Sequence, residues 1–145
     1  MQRSNFRHFI ELPVRWGDMD AFGHVNNVQF LRYLESARVA YCEEVLGGAL
    51  GAQGEGIILV DIQCSFRQQL HYPVTLEVAS RISRIGNSSL EILAAIFRKG
   101  QEEPVSASRG VMVWFDFEAQ KGVQVPGWVR KAIYDYETLP PEGVI

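Results

Sequence analysis

The hydrophobic period of this chain turns strongly helical for one long stretch, and that stretch limits what the rest can fold into. From about Asn27 to Leu46 apolar residues recur with helical spacing: Phe30, Leu31, Leu34, Ala37, Tyr41 and Val45 fall in one arc. Gln29, Arg32, Glu35, Ser36 and Glu43 fall on or near the other side, and Gly47-Gly48 supplies a stop. Such a helix of about 20 residues is about 30 Å long. No other segment has so strong a helical pattern, so the remainder must cover one long apolar arc.

The remainder alternates mostly with period two. Ile10, Leu12, Val14 and Trp16 predict a first strand, at an edge or an irregularity because Pro13 cannot donate to a ladder. Four more strands are predicted from Ile58 to Phe66, Val74 to Ile82, Leu90 to Ile96 and Val105 to Phe115. Gly86-Asn87 and the polar run from Lys99 to Pro104 read as turns between them, which favours an antiparallel meander. Gly51 to Gly56 is a glycine-rich connection without the lysine of a phosphate loop. Pro126 opens a short closing helix whose apolar side is Trp128, Val129, Ala132, Ile133 and Tyr136. With 145 residues, 47% of them hydrophobic, the chain supports a single domain over 1–145 with one core. A sheet curved around the long helix is the compact solution, which makes the class α+β.

Charge narrows the function. A net charge of -3 leaves no basic footprint for nucleic acid, and no apolar run approaches membrane-spanning length. The start, MQRSNFRHFI, has no apolar leader core, so a cytoplasmic protein is expected. Cys42 and Cys64 match no metal or redox spacing and are expected as reduced core thiols. His8 and His71 are expected at the surface or an edge, and Glu35 and Arg38, three apart, can pair.

The chemistry concentrates between Val14 and Phe30. Asp18, Asp20 and His24 sit just ahead of the helix N-terminus, whose free N–H groups and partial positive charge can hold an oxyanion. A carboxylate, an imidazole and an oxyanion-holding helix end together suit attack on a carbonyl. Read alone, Asp20 is also an ordinary turn or capping residue, and Asn26 and Asn27 are helix caps. Asp18 and Asp20 would share a side in an extended segment, but only His24 is near enough to add a third ligand. No metal is therefore expected, and Asp18 is expected to make loop hydrogen bonds. Trp16 and Phe22 flank the site, with core packing the default and pocket lining the option.

The run Asp18-Met19-Asp20-Ala21-Phe22-Gly23-His24-Val25-Asn26-Asn27, continued by Phe30 and Tyr33-Leu34-Glu35-Ser36-Ala37-Arg38, resembles the hotdog-fold thioesterases. More narrowly it is similar to the 4-hydroxybenzoyl-CoA and acyl-CoA thioesterase group, and its Asp–His-Val-Asn-Asn portion to the plant acyl-ACP thioesterases. The resemblance implies the hotdog fold, an antiparallel five-stranded sheet wrapped around one long central helix. It implies that Asp20 is the catalytic carboxylate, as nucleophile through an acyl-enzyme anhydride or as base on water. Asn27 falls where a backbone N–H polarises the thioester carbonyl. His24 matches the histidine of the acyl-ACP members, whereas the benzoyl-type enzymes are apolar there. It serves as a relay, a substrate-orienting group or a structural donor to backbone. Gly23, Val25, Asn26 and Phe30 are the expected substrate-binding residues.

The chemistry of the bond agrees. A thiol leaves with a pKa near ~8.5, so a thioester needs little acid assistance on departure. One carboxylate and one oxyanion donor, the latter worth on the order of 10²–10³ in rate, then suffice. The expected protein is an acyl-CoA thioesterase without cofactor, acting on an acyl- or aroyl-CoA. The resemblance further implies a homo-oligomer, dimer or tetramer, whose sheets join with the active sites at the subunit boundary. The rivals are an acyl-ACP thioesterase, which would need a basic docking surface, a non-catalytic acyl-CoA-binding module, and a hotdog hydratase or dehydratase.

Overall fold

In the computed structural model, which describes residues 1–48 and 54–143, the long helix α1 runs Asn27–Leu46 as its caps dictate. Asn26 has extended backbone angles and its Oδ1 accepts the Val28 N–H at 3.0 Å. At the other end Gly47 takes the left-handed conformation, φ 67°, and its N–H returns to the Cys42 carbonyl. The buried face carries Phe30, Tyr33, Leu34, Ala37, Tyr41, Cys42 and Leu46. This corrects the expected arc, which loses Leu31 and Val45 and gains Tyr33, Cys42 and Leu46. Leu31 is 38% exposed, and Tyr33 is buried in its stead because its hydroxyl reaches inward to a carboxylate. Val45 lies half-buried at the arc's margin.

Five long strands wrap this helix: β1 His8–Pro13, β2 Glu55–Phe66, β3 Thr75–Ile85, β4 Ser89–Arg98 and β5 Pro104–Asp116. Their order is β1-β3-β4-β5-β2, all antiparallel. Two two-residue strands, Lys121–Gly122 and Glu142–Gly143, pair with β5 and β3. The result is the hotdog arrangement, α+β with a curled antiparallel sheet around one helix.

The predicted meander holds for β3-β4-β5 and fails for β2, which pairs with β5 from Glu55↔Asp116 to Phe66↔Ser106. The reason lies in residues 67–74, which are no short turn. Arg67 and Gln68 donate backbone N–H groups to Val105, the Leu70 carbonyl accepts from Val25, and the Val74 carbonyl accepts from Val14. Leu70 itself is fully buried. The connection therefore crosses the end of the sheet and belongs to the core. Of the connection predicted at Gly51 to Gly56, residues 51–53 lie outside the described residues, and β2 has already begun at Glu55.

β1 sits at the sheet's edge, as Pro13 requires, but it ends at Pro13 and not at Trp16. Trp16–Asp18 form a 3₁₀ turn, because the Asp18 carboxylate takes the Arg15 N–H at 3.0 Å and folds the chain locally. His8 lies on this edge strand but not at the surface: it is buried against the Tyr41 ring, with Nε2 2.9 Å from Glu44. Both cysteines are free, Cys42 buried and Cys64 half-buried.

The interior divides along α1. Its N-terminal half packs with Val14, Val25, Leu70 and Val78 beside the Asp18–His24 segment. Its C-terminal half packs with Ile82, Leu90, Met112 and α2, Gly127–Tyr136. Pro126 is the N-cap of α2, one position before the expected place, and Val129 and Ile133 are fully buried while Trp128 is exposed. Each such large apolar side chain contributes about 1.5–3 kcal/mol. Among the described residues no helix is long and apolar enough to cross a membrane.

Candidate active site

The segment between β1 and α1 folds back on itself before entering the helix. Asp20 N–H donates to the His24 carbonyl at 2.8 Å, and Gly23 N–H to the Asp20 carbonyl at 3.0 Å. Phe22 N–H donates to Asp20 Oδ1 at 2.9 Å, the local bond that aspartate offers a turn. Gly23 lies at φ 80°, where a side chain would be strained. Met19 and Val25 bridge across the base of this turn.

Asp18 holds the turn to the helix. It is 2% exposed, and its Oδ2 accepts from Arg15 N–H at 3.0 Å and from Tyr33 Oη at 2.7 Å. Its Oδ1 accepts from Arg15 Nε at 3.2 Å and lies 3.0 Å from Arg15 Nη2. The Asp18 carbonyl takes the Asn26 N–H at 3.0 Å. Burial alone would raise the Asp18 carboxyl, but the bonds from Arg15 and Tyr33 outweigh it and hold the group below its ordinary value. Burial and the bond to Asp18 push the Tyr33 phenol well up, so it stays a donor. Asp18 is thus a structural group, as its expected loop hydrogen bonds required.

Asp20 differs in every respect. It is half-buried, with Oδ1 fixed by Phe22 and no donor to Oδ2 among the described residues. It lines a cavity of about 510 Å³ together with Phe22, His24, Val25, Asn27, Phe30, Phe66, Arg67, Gln68 and Gln69. Asn27 is the first residue of α1, and its N–H has no acceptor among the described residues. A residue with an unpaired carboxylate oxygen and a helix-start residue with an unfilled N–H therefore line one space.

Of the sequence-predicted residues, the cavity gathers Asp20, His24, Asn27, Val25 and Phe30. It leaves out Gly23 and Asn26, which shape it from behind: Asn26 caps α1, and the Gly23 carbonyl meets His71 Nδ1 at 3.0 Å. Phe22 is 85% exposed and lines the cavity, and Trp16, 73% exposed, does not. Neither packs in the core, because the 3₁₀ turn and the Asp20 turn aim both outward. Glu35 pairs with Arg32 at 2.6 Å and not with Arg38, whose half-buried guanidinium desolvation lowers.

Sequence reasoning missed Phe66, Arg67, Gln68, Gln69 and His71. The one available signal was the break of alternation at Arg67-Gln68-Gln69, which by pattern marks only the end of a strand. His71 is exposed, as expected, yet it borders the site: its ring centroid lies 4.7 Å from that of His24. Among the described residues no group of three His, Cys, Asp or Glu side chains is arranged to hold a metal ion.

The model of the thioesterase-like superfamily matches residues 14–133. Among solved structures, the PA2801 protein of Pseudomonas aeruginosa is similar at 33% identity and a TM-score of 0.79, over 87% of this chain and 97% of that one. A thioesterase from Thermus thermophilus, complexed with coenzyme A and Zn, is similar at 27% identity and a TM-score of 0.82, over 94% of this chain and 98% of that one. Among curated proteins, the chloroplastic acyl-acyl carrier protein thioesterase ATL3 of Arabidopsis thaliana is 26% identical over 125 residues, 85% of this chain and 65% of that protein. The chain thus spans about two thirds of the length of the plant relatives it matches.

Proposed function

The chain belongs to the thioesterase-like superfamily, and from that premise we propose that it hydrolyses an acyl- or aroyl-CoA to a free carboxylic acid and CoA. The observation that carries this reading is that Asp20, whose Oδ2 has no donor among the described residues, and Asn27, whose N–H has no acceptor among them, line the same cavity. The thioester carbonyl oxygen sits on the Asn27 N–H, which binds the charge that develops on attack. Two routes fit one carboxylate. In the first, Asp20 takes a proton from water as the water oxygen bonds to the carbonyl carbon. The tetrahedral intermediate then breaks its C–S bond, and the thiolate recovers that proton. In the second, Asp20 bonds to the carbonyl carbon, expels the thiolate and forms a mixed anhydride that water cleaves.

Phe22, Val25, Phe30 and Phe66 supply an apolar wall for the acyl group, with Arg67, Gln68 and Gln69 as a polar margin and His24 orienting substrate. CoA is favoured over an acyl carrier protein because the latter needs a basic docking surface, and in a chain of net charge -3 the cations Arg81, Arg84, Arg98 and Lys99 are scattered. Arg81 bonds the Leu139 carbonyl, Arg98 bonds Gln68 and Gln69, and Lys99 pairs with Glu11. The proposal includes a single catalytic domain over 1–145, a cytoplasmic setting and a homo-oligomer. β2 is at the sheet's open edge with Val60 54% and Phe66 43% exposed. Phe66 also walls the cavity, so a second copy joined along β2 would close the site.

Turnover of a panel of acyl-CoA esters, followed by free-thiol release and by enoyl absorbance, tests the reading. Thiol release without an enoyl change is the expected result. Binding without release would mean a carrier module, and an enoyl change without release a hydratase.

A further inference from the structure

The catalytic turn closes on itself through three hydrogen bonds, and two adjacent residues of the 67–74 connection tie it to the opposite wall of the cavity. Leu70 does so with its main chain, accepting the Val25 N–H at 2.8 Å. His71 does so with its side chain, Nδ1 at 3.0 Å from the Gly23 carbonyl. A carbonyl oxygen only accepts, so His71 Nδ1 must carry the proton, and a neutral ring then has a bare Nε2. The same ring rests against His24, centroids 4.7 Å apart at 58°, with no hydrogen bond between the two.

Gly23 is consequently gripped at both ends, its N–H by Asp20 and its carbonyl by His71. Moving that carbonyl moves Asp20, whose own N–H is bonded to the carbonyl of His24. We propose that His71 is a positioning residue of this site: its Nδ1–H fixes the Gly23 carbonyl and its ring backs His24, so that Asp20 and His24 keep their places relative to the start of α1. Of the two ties, Leu70's is main-chain and survives any substitution, so His71 is where the sequence controls the turn. Because His71 is exposed, it buries little and its effect falls on geometry rather than on folding. A displacement of one ångström in a reacting group is enough to cost a large factor in rate.

This role rests on the thioesterase reading for its kinetics, so the test pairs kinetics with a measurement that needs no substrate. The full chain is compared with His71→Leu, which removes the donor, and His71→Asn, whose amide N–H lies near the place of Nδ1–H. With an acyl-CoA that the wild type cleaves, His71→Leu should lower kcat by about tenfold at a KM within about twofold. His71→Asn should recover kcat to within about threefold, and both variants should keep the wild-type Tm within about 2 °C. Wild-type kcat in His71→Leu, an equal loss in His71→Asn, or a loss tracked by a fall in Tm would each overturn the role. Separately, long-range ¹H–¹⁵N spectra at about pH 8, above the ordinary imidazole range, should show His71 as the Nδ1–H tautomer. They should also show His24 ring signals that shift in His71→Leu. An Nε2–H tautomer, or unmoved His24 signals, would overturn the role even if no acyl-CoA is cleaved. Absence of turnover with the expected spectra would sink only the thioesterase reading.

Discussion

Asp18→Asn changes almost no volume and removes one charge, which makes it the cleanest probe of what holds the site turn to the helix. The carboxylate receives Arg15 N–H and Tyr33 Oη on Oδ2, at 3.0 and 2.7 Å, and the Arg15 side chain on Oδ1. An amide has one accepting oxygen. With that oxygen toward Tyr33, its NH₂ faces the Arg15 guanidinium, donor against donor. Turned round, the NH₂ faces the Arg15 N–H and the tyrosine hydroxyl must rotate. One side is lost either way. A bond to a charged group is worth about 1.5–3 kcal/mol. The guanidinium pairing adds no more than about 1 kcal/mol, since the Arg15 side chain is 73% exposed. We expect a loss of about 2–3 kcal/mol and, for a chain of this size, a Tm lower by about 5–10 °C. The sign with pH follows from the direction of the shift. The folded carboxyl is held below its ordinary value of 3.8, so its stabilisation is present above that value and is lost as pH falls through the folded one. Urea unfolding of both proteins at neutral pH and in acid is the assay. A neutral-pH difference below about 0.5 kcal/mol, or one that persists undiminished in strong acid, would refute the reasoning.

Three further outcomes are expected. Burial holds the His8 imidazole below its ordinary 6.5 against the opposing pull of Glu44. Its contribution is therefore complete above 6.5 and lost as pH falls through the folded value, and His8→Gln should flatten this limb of the stability curve. Activity should survive strong chelators, and loss in EDTA restored by a divalent ion would overturn the carboxylate-only mechanism. Light scattering at assay concentration should find at least a dimer, whereas a 16.4 kDa monomer with full turnover would contradict a shared site.

What was legible in the sequence was what neighbouring residues decide. Asn26 and Gly47 bound α1 by local capping, and the Gly86-Asn87 turn joins strands adjacent in the chain, so helix and hairpin both came out where pattern placed them. Asp20, His24 and Asn27 lie within eight consecutive positions ending at the helix start, and their convergence on one cavity needs only the turn between them. The partner of β2 was not legible, since its pairing with β5 depends on a connection whose bonds go to Val105, Val25 and Val14. Everything that depended on this crossing was missed too, namely Arg67 to Gln69 at the cavity and His71 behind it. Trp16 misled because its alternation is genuine while the Asp18 bond to Arg15 overrides it. His8 misled because a polar ring reads as surface until Tyr41 and Glu44 are seen to receive it.

Asp20→Asn tests the central claim most directly, because it keeps the Phe22 bond to Oδ1 within reach and removes only the charge and the other carboxylate oxygen, which has no donor among the described residues. Thiol release from the preferred acyl-CoA should be abolished, with far-UV circular dichroism and Tm unchanged. A variant that retains more than about a tenth of wild-type kcat/KM, a cost below about 1.4 kcal/mol, would contradict the assignment of Asp20 as the group that attacks or activates water.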